Sequence, residues 1–170
     1  MIEVNEKFVQ EVKKHLEGDL TTYLRRKRSA SNLTLNVRDL DVEVMARRVK
    51  SLLYRIKAVY DISFMGSETP STMNIVLKEH SFDIIDDPER RTRLIESSRR
   101  EAEASKILSH YGSLILPDYL GDHEIRNGEA KKQWLFMEDL GDESFERQFR
   151  SLDEDEIKIL RTLHKQPVQK

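Results

Sequence analysis

The sequence predicts an α+β fold, in which an antiparallel β-sheet of about five strands packs with one long helix and follows an N-terminal helical extension. Three observations predict it. Apolar residues recur every four positions near the N-terminus, as on one face of a helix, and alternate with polar residues from residue 33 onward. At residues 86–89, acidic side chains and a proline then mark the start of a long charged helix.

The amino-acid composition indicates a single folded domain and excludes several kinds of protein. The chain has 170 residues, 38% of them apolar and 35% charged, which suits one domain with its own core. It has no cysteine, which excludes disulfides, thiolate zinc sites and a cysteine nucleophile. No apolar run approaches the ~20 residues that cross a bilayer, and the N-terminus does not resemble a signal peptide, so we expect a cytoplasmic protein without a membrane partner. The formal net charge of -2 gives no reason to expect DNA or RNA binding.

The N-terminal extension, residues 1–32, is predicted to contain two helices. One apolar stripe marks the first helix and consists of Val4, Phe8, Val12 and Leu16. Gly18 is expected to end it, and a second helix follows over residues 20–28. This helix ends in the basic run Arg-Arg-Lys-Arg at residues 25–28, which we interpret as a solvated helix end favoured by the helix dipole. The alternative for this run is a phosphate or nucleic-acid contact. Residues 29–32 read as a turn.

The middle of the chain is predicted to form strands. Residues 33–37 alternate cleanly between apolar and polar, and residues 42–49 and 52–62 are rich in residues that favour strands. A helix over residues 42–58 remains an alternative, because the apolar spacing there also fits a helical period. Residues 66–72 read as a polar turn, and residues 73–79 as a strand.

The second half begins with a helix from residue 86 to about residue 110, with a break considered near Ser97 and Ser98. The acidic pair at residues 86–87 is interpreted as helix capping rather than as a catalytic carboxylate pair. A short strand over residues 114–120, a charged turn over 122–131 containing Asn127-Gly128, and a strand over 133–137 follow. Trp134 is expected in the core. Gly141 ends this strand, and residues 143–149 and 153–164 are predicted helices.

Three motifs follow one another along residues 75–141. The apolar strand Ile-Val-Leu ends in Lys78, the next helix contains Arg-Glu-Ala around Glu101, and a later apolar strand ends in Glu-Asp-Leu-Gly at residues 138–141. In this order they resemble the N-terminal lobe of the protein-kinase-like small-molecule phosphotransferases, the aminoglycoside phosphotransferase and choline kinase type. The resemblance covers roughly residues 40–165.

The resemblance implies a role for each motif. Lys78 is similar to the lysine that binds the nucleotide phosphates, and such a lysine needs a carboxylate partner to hold it in place. Glu101 is the better match for that partner and Glu103 is the alternative, because the two glutamates lie about 200° apart on a helix and only one can face the sheet. Residues Glu138, Asp139 and Leu140 resemble the hinge whose backbone holds the adenine edge.

The phosphate-covering loop of this family is normally glycine-rich, because backbone N–H groups approach the phosphates closely. Here no glycine lies between Gly18 and Gly66. If residues 42–49 and 52–60 form the first hairpin, a basic loop containing Lys50 and Ser51 takes this place. Alternatively, Gly66 and Ser67 serve as the loop.

The resemblance also divides the chain and implies its ligands. Residues 33–141 correspond to the nucleotide-binding lobe, and residues 142–170 to helices that lead into a larger lobe. ATP and Mg²⁺ are the implied cofactors, with a small-molecule phosphate acceptor. The sequence contains no His-x-Asp followed by the catalytic asparagine. We therefore expect a lobe truncated before the catalytic loop, inactive alone, with its Mg²⁺ ligands in the missing lobe, and with a surface that favours self-association. The alternative function is a non-catalytic interaction or regulatory domain.

The five histidines are isolated from one another in the sequence, and none belongs to a metal-binding motif. In particular, His80 follows Lys78 by two positions and is expected to be a surface side chain rather than a ligand.

Overall fold

The computed structural model describes residues 4–48, 51–110 and 117–141. In these ranges the elements are α1 (Glu6–Arg28), β1 (Thr34–Arg47), β2 (Ser51–Phe64), β3 (Ser67–Ser81), α2 (Pro88–His110), β4 (Tyr119–Asn127) and β5 (Glu129–Glu138). The strands form one antiparallel sheet in the order β1-β2-β3-β5-β4. The predicted α+β class is confirmed. The predicted helices at 143–149 and 153–164, and the start of the predicted strand at 114–120, lie outside the described residues.

One continuous helix, α1, replaces the two predicted N-terminal helices. The side chain of Asn5 caps it by accepting a hydrogen bond from the Phe8 N–H at 2.9 Å. The predicted stop at Gly18 is wrong because the apolar stripe continues on both sides of this exposed glycine. A glycine costs about 1 kcal/mol inside a helix, whereas each buried leucine contributes roughly 2 kcal/mol. The helix ends at Arg28, and the left-handed backbone of Ser29 (φ 50) lets the Ser29 N–H bond the last-turn carbonyls, as predicted for a turn at residues 29–32.

α1 packs against one face of the sheet, beside β1 and β4. Its buried side chains belong to the same hydrophobic core as those of the strands; the members contributed by α1 are Val12, Leu16, Leu20, Tyr23 and Leu24. Residues 6–28 therefore share a core with the sheet that follows them. The chain divides into two compact units, Met1–Asp139 and Leu140–Lys170.

The strands extend further than the sequence predicted. Residues 42–47 and 51–58 lie in β1 and β2, so the alternative of a helix over 42–58 is wrong. The polar turn predicted at 66–72 is also wrong: the turn is confined to Met65 and Gly66, and β3 begins at Ser67. Pro70 fits inside β3 because β5 pairs only with residues 75–81, so β3 is an edge at this position and the missing proline N–H breaks no ladder bond.

α2 runs unbroken through Ser97 and Ser98. Its predicted cap is confirmed, since Asp87 Oδ1 accepts hydrogen bonds from the N–H groups of Glu89 and Arg90 at 2.9 and 3.3 Å.

The hairpin predicted at Asn127-Gly128 is confirmed, but residues 122–126 belong to β4 rather than to a turn. Trp134 is buried, as predicted. Neither helix of the described ranges has a stretch apolar and long enough to cross a bilayer.

Candidate functional site

The candidate site lies on the sheet face that α1 leaves uncovered. Because side chains alternate along a strand, Val76, Lys78 and His80 of β3 point away from the core that contains their neighbours Ile75 and Leu77. Directly paired residues share a face, and the partners on this face include Leu53 of β2 and Leu135 of β5, both opposite Lys78, and Met137 of β5, opposite Val76. Lys78 is therefore flanked by a leucine on each of the two neighbouring strands.

α2 supplies the partner of this lysine. Lys78 Nζ forms an ion pair with Glu101 Oε1. Glu103 is exposed on another side of the helix, so the structure selects Glu101 between the two candidates. The side chains of Lys78 and Glu101 are 19% and 38% exposed, which leaves the pair accessible to a ligand while much of the lysine is shielded from water. The expected proximity of Lys78 and Glu101 is confirmed; the nucleotide-binding role stays a prediction.

The prediction that His80 is a surface side chain is wrong. His80 is buried, at 8% exposure, and its Nε2 lies 3.2 Å from Glu101 Oε2. The hydrogen bond with His80, and after it the hydrogen bond and the charge of Lys78, lower the pKa of Glu101 to about 2, although partial burial acts in the opposite direction. The sequence alone could have placed His80 beside Lys78, because residues two apart on a strand lie on the same face of the sheet.

The predicted hinge residues are held from three directions. The Glu138 N–H donates to the Asp118 carbonyl at 2.9 Å, and the Asp139 N–H donates to the Asn74 carbonyl at 3.0 Å. The Asp139 carboxylate, only 6% exposed, pairs with Arg55 Nε at 2.8 Å. The Asp139 side chain therefore fixes the end of β5, and the adenine contacts expected of the Glu138 and Asp139 backbone stay predictions. Leu140 begins the second compact unit, and its contact with adenine stays a prediction.

No local sequence pattern points to Arg55 as part of this site. This arginine is 84 residues from Asp139 along the chain, and the two side chains come near each other because β3 pairs with β2 on one side and with β5 on the other. It lies directly opposite Val76 and hence on the candidate face.

The two candidates for the phosphate loop lie at opposite ends of the β2–β3 hairpin. Ser51 begins β2, pairs with His80 and accepts a hydrogen bond from the Arg48 N–H at 2.8 Å, so the end of β1 and the start of β2 lie at the end of the hairpin where Lys78 is found. Lys50 lies outside the described residues. Gly66 and Ser67 form the opposite end of the hairpin and do not lie beside Lys78. The phosphate-covering role of either loop stays a prediction.

The basic end of α1 makes local contacts. Lys27 Nζ pairs with Asp118 at 2.7 Å, and Arg25 Nε donates to the Leu33 carbonyl at 2.7 Å. The Arg26 guanidinium lies 5.9 Å from the centre of the Tyr23 ring, within the range of a cation–π contact. These contacts favour the interpretation of this run as a stabilised helix end over a nucleic-acid contact.

A second cluster of ionisable groups joins α1 to β4. His123 Nε2 lies 2.7 Å from Asp19 Oδ2, and the rings of His15 and His123 are 4.3 Å apart. The histidines that are isolated in sequence thus meet in the fold. Burial and the neighbouring His123 lower the pKa of His15. Among residues 4–48, 51–110 and 117–141, neither this cluster nor any other group of three or more His, Asp or Glu side chains suits a metal ion.

Comparisons of this chain with protein-family models, with curated proteins and with solved structures gave no match. The function therefore rests on the chemistry of the site itself.

Proposed function

We propose that this chain is the nucleotide-binding lobe of an ATP-dependent small-molecule phosphotransferase, and that Lys78 holds the phosphates. The observation that carries the proposal is the ion pair between Lys78 of β3 and Glu101 of α2, on the sheet face opposite α1. Protein kinases use such a pair, a strand lysine fixed by a helix glutamate, to place a positive charge on the ATP phosphates.

The environment of Lys78 suits a phosphate ligand. The flexible lysine side chain loses most of its freedom when it is packed on a sheet and held by a carboxylate, so less order has to be imposed when a ligand binds. A charge-assisted hydrogen bond from an ammonium to a phosphate contributes about 1.5–3 kcal/mol. Each 1.4 kcal/mol corresponds to about a tenfold change in affinity, so loss of the Lys78 ammonium is expected to weaken ATP binding about 10- to 100-fold.

The same face offers an apolar surface to the base. Leu53, Val76 and Met137 are partly exposed beside Lys78, on three adjacent strands. A flat aromatic base that covers these side chains removes apolar area from water, at roughly 25 cal/mol per Å². This surface ends at Glu138, the first of the residues that resemble the hinge.

Mg²⁺ would reach this lobe on the phosphates of ATP. In the ranges 4–48, 51–110 and 117–141, no group of three or more acidic or histidine side chains suits a metal, so these residues do not fit a protein-held magnesium site. We assign the described residues a role in binding the nucleotide rather than in the transfer step.

The proposal is tested by titrating ATP into the full chain and into two lysine variants, with binding followed by NMR. Lys78→Met removes the ammonium and keeps an apolar side chain of similar length. Lys57→Met is the matched control, because Lys57 is an exposed lysine on the same face, four residues along β2 from Leu53, the residue opposite Lys78. We expect saturable binding that is at least about tenfold weaker for Lys78→Met and within about twofold of the unmodified chain for Lys57→Met.

Equal losses in the two variants would show that ATP responds only to general positive charge. Failure of the unmodified chain to bind ATP at millimolar concentration would reject the proposal and favour the alternative of a non-catalytic interaction domain.

A further inference from the structure

We propose that His80 is a positioning residue that orients the Glu101 carboxylate, so that the other oxygen of this carboxylate holds the Lys78 ammonium toward a phosphate ligand. The inference rests on the proposed function for the identity of the ligand, and it adds a third member to the pair.

The geometry of β3 and α2 places one carboxylate between two donors. Lys78 and His80 are two residues apart, so their Cα atoms lie about 6.8 Å apart on one face of the sheet. Glu101 contacts both of them: Oε1 binds Lys78 Nζ, and Oε2 lies 3.2 Å from His80 Nε2. A planar carboxylate that is held at both oxygens has a fixed direction, whereas one held only by a flexible ammonium can turn about its last torsion.

The burial of His80 and Glu101 shows which of the two side chains constrains the other. The His80 side chain is 10% exposed, compared with 38% for Glu101. Its backbone is paired with Ser51 on one side and with Gln133 on the other, in the interior of the sheet. A buried imidazole with two torsions is more ordered than a half-exposed glutamate with three, and exposed ion pairs alone hold their geometry weakly. The ordered histidine therefore constrains the glutamate.

The chemistry of the contact fixes its direction. An ionised carboxylate only accepts hydrogen bonds, so His80 Nε2 carries the hydrogen and donates it to Glu101. The low pKa of Glu101, about 2, has the hydrogen bond with His80 as its largest cause, which agrees with a donor at Nε2. Loss of this donor leaves the glutamate free to turn into solvent and lets Lys78 leave the phosphate position.

This role has a signature that a merely structural role lacks. The positioning of Lys78 affects the phosphates and leaves the base contacts at Leu53, Val76 and Met137 unchanged. A change at His80 should therefore reduce the affinity for ATP and not that for adenosine.

The experiment uses the full chain with four substitutions. His80→Leu and His80→Asn remove a donor at the Nε2 position, and the polar asparagine keeps the test open if the leucine variant does not fold. His80→Gln restores an N–H at similar reach. His110→Gln, at an exposed histidine that ends α2, is the matched control. NMR gives the affinities for ATP and adenosine and, from the side-chain carboxyl carbon, the pKa of Glu101.

We expect ATP binding to weaken about fivefold or more in the leucine and asparagine variants, adenosine binding to stay within about twofold, and glutamine to recover most of the loss. The pKa of Glu101 should rise toward its ordinary value of 4.5 in the leucine and asparagine variants and stay low with glutamine and in the control.

The inference is overturned if ATP and adenosine weaken together, if glutamine behaves like leucine, or if the pKa of Glu101 does not rise. If the unmodified chain binds no ATP, the proposed function fails, and the pKa of Glu101 alone decides whether His80 orients the carboxylate.

Discussion

Gly121 of β4 allows a close approach of α1 to the sheet, and replacing it with alanine tests the packing of the two elements. A Cβ at this position would overlap the carboxylate of Asp19, on the α1 side of the sheet. That carboxylate is not free to move without loss, because it accepts the 2.7 Å hydrogen bond from His123. Gly121→Ala must therefore either break this ion pair or push α1 away from β4.

The cost follows from the contacts that are lost. A hydrogen bond to a charged group contributes about 1.5–3 kcal/mol, and the side chains of Asp19 and His123 are 15% and 27% exposed, so water replaces part of it. Overpacking destabilises the folded state by a further 1–3 kcal/mol, roughly. In the opposite direction, alanine has less conformational entropy than glycine in the unfolded chain, which stabilises the fold by about 0.4–1 kcal/mol. The net expectation is a loss of about 2 kcal/mol in the free energy of unfolding, which lowers the Tm by about 6 °C.

Urea unfolding measures this change, and Gly18→Ala is the matched control of opposite sign. Gly18 lies exposed inside α1 with no atom within 4 Å of an added Cβ, so alanine there should stabilise the chain by about 0.5–1 kcal/mol. Adding Asp19→Ala to Gly121→Ala should recover at least about 1 kcal/mol relative to the sum of the single changes. An unchanged stability of Gly121→Ala, or strictly additive effects, would refute the close approach of Asp19 and Gly121.

Two further predictions concern ionised groups. The pKa of Glu101 in the folded chain, about 2, lies below its ordinary value of 4.5, so ionised Glu101 contributes fully to stability above pH 4.5. This contribution is lost as the pH falls from about 4.5 to about 2. Glu101→Gln should therefore flatten the pH dependence of the unfolding free energy in this window, and an unchanged slope would contradict the prediction. Trp134→Phe removes the indole N–H that lies 2.8 Å from the buried Glu79 carboxylate, and it should lower the free energy of unfolding in urea by about 3 kcal/mol. A loss below about 0.5 kcal/mol would show that Lys132, at 3.2 Å, alone satisfies the Glu79 carboxylate.

Local patterns in the sequence predicted most elements of the fold. The stripe of α1, the alternation of β1 and the capping at Asp87 are local signals, and the structure follows them. The stop signal at Gly18 misleads because the leucines that α1 buries on both sides of it stabilise the helix by more than one glycine costs. The polar residues 66–72 resemble a turn in sequence, but most of them form a strand because β2 supplies their hydrogen-bond partners.

The candidate site was predicted in part for the same reason. A strand lysine and a helix glutamate could be matched to a known arrangement, and Lys78 and Glu101 do meet. The pair formed by Arg55 and Asp139 joins residues 84 positions apart, and the contact of His15 with His123 joins an N-terminal helix to a late strand. Such contacts depend on the strand order and on the packing of helices on the sheet, which no local pattern specifies.

The location of ATP on the sheet tests the central claim most directly. In an amide NMR titration of the full chain, we expect the largest shift changes at Leu53, Val76 and Lys78, on the sheet face opposite α1, and at Glu101 of α2. These changes should be lost in Lys78→Met. Changes confined to the α1 face, or changes that persist undiminished without the Lys78 ammonium, would contradict it.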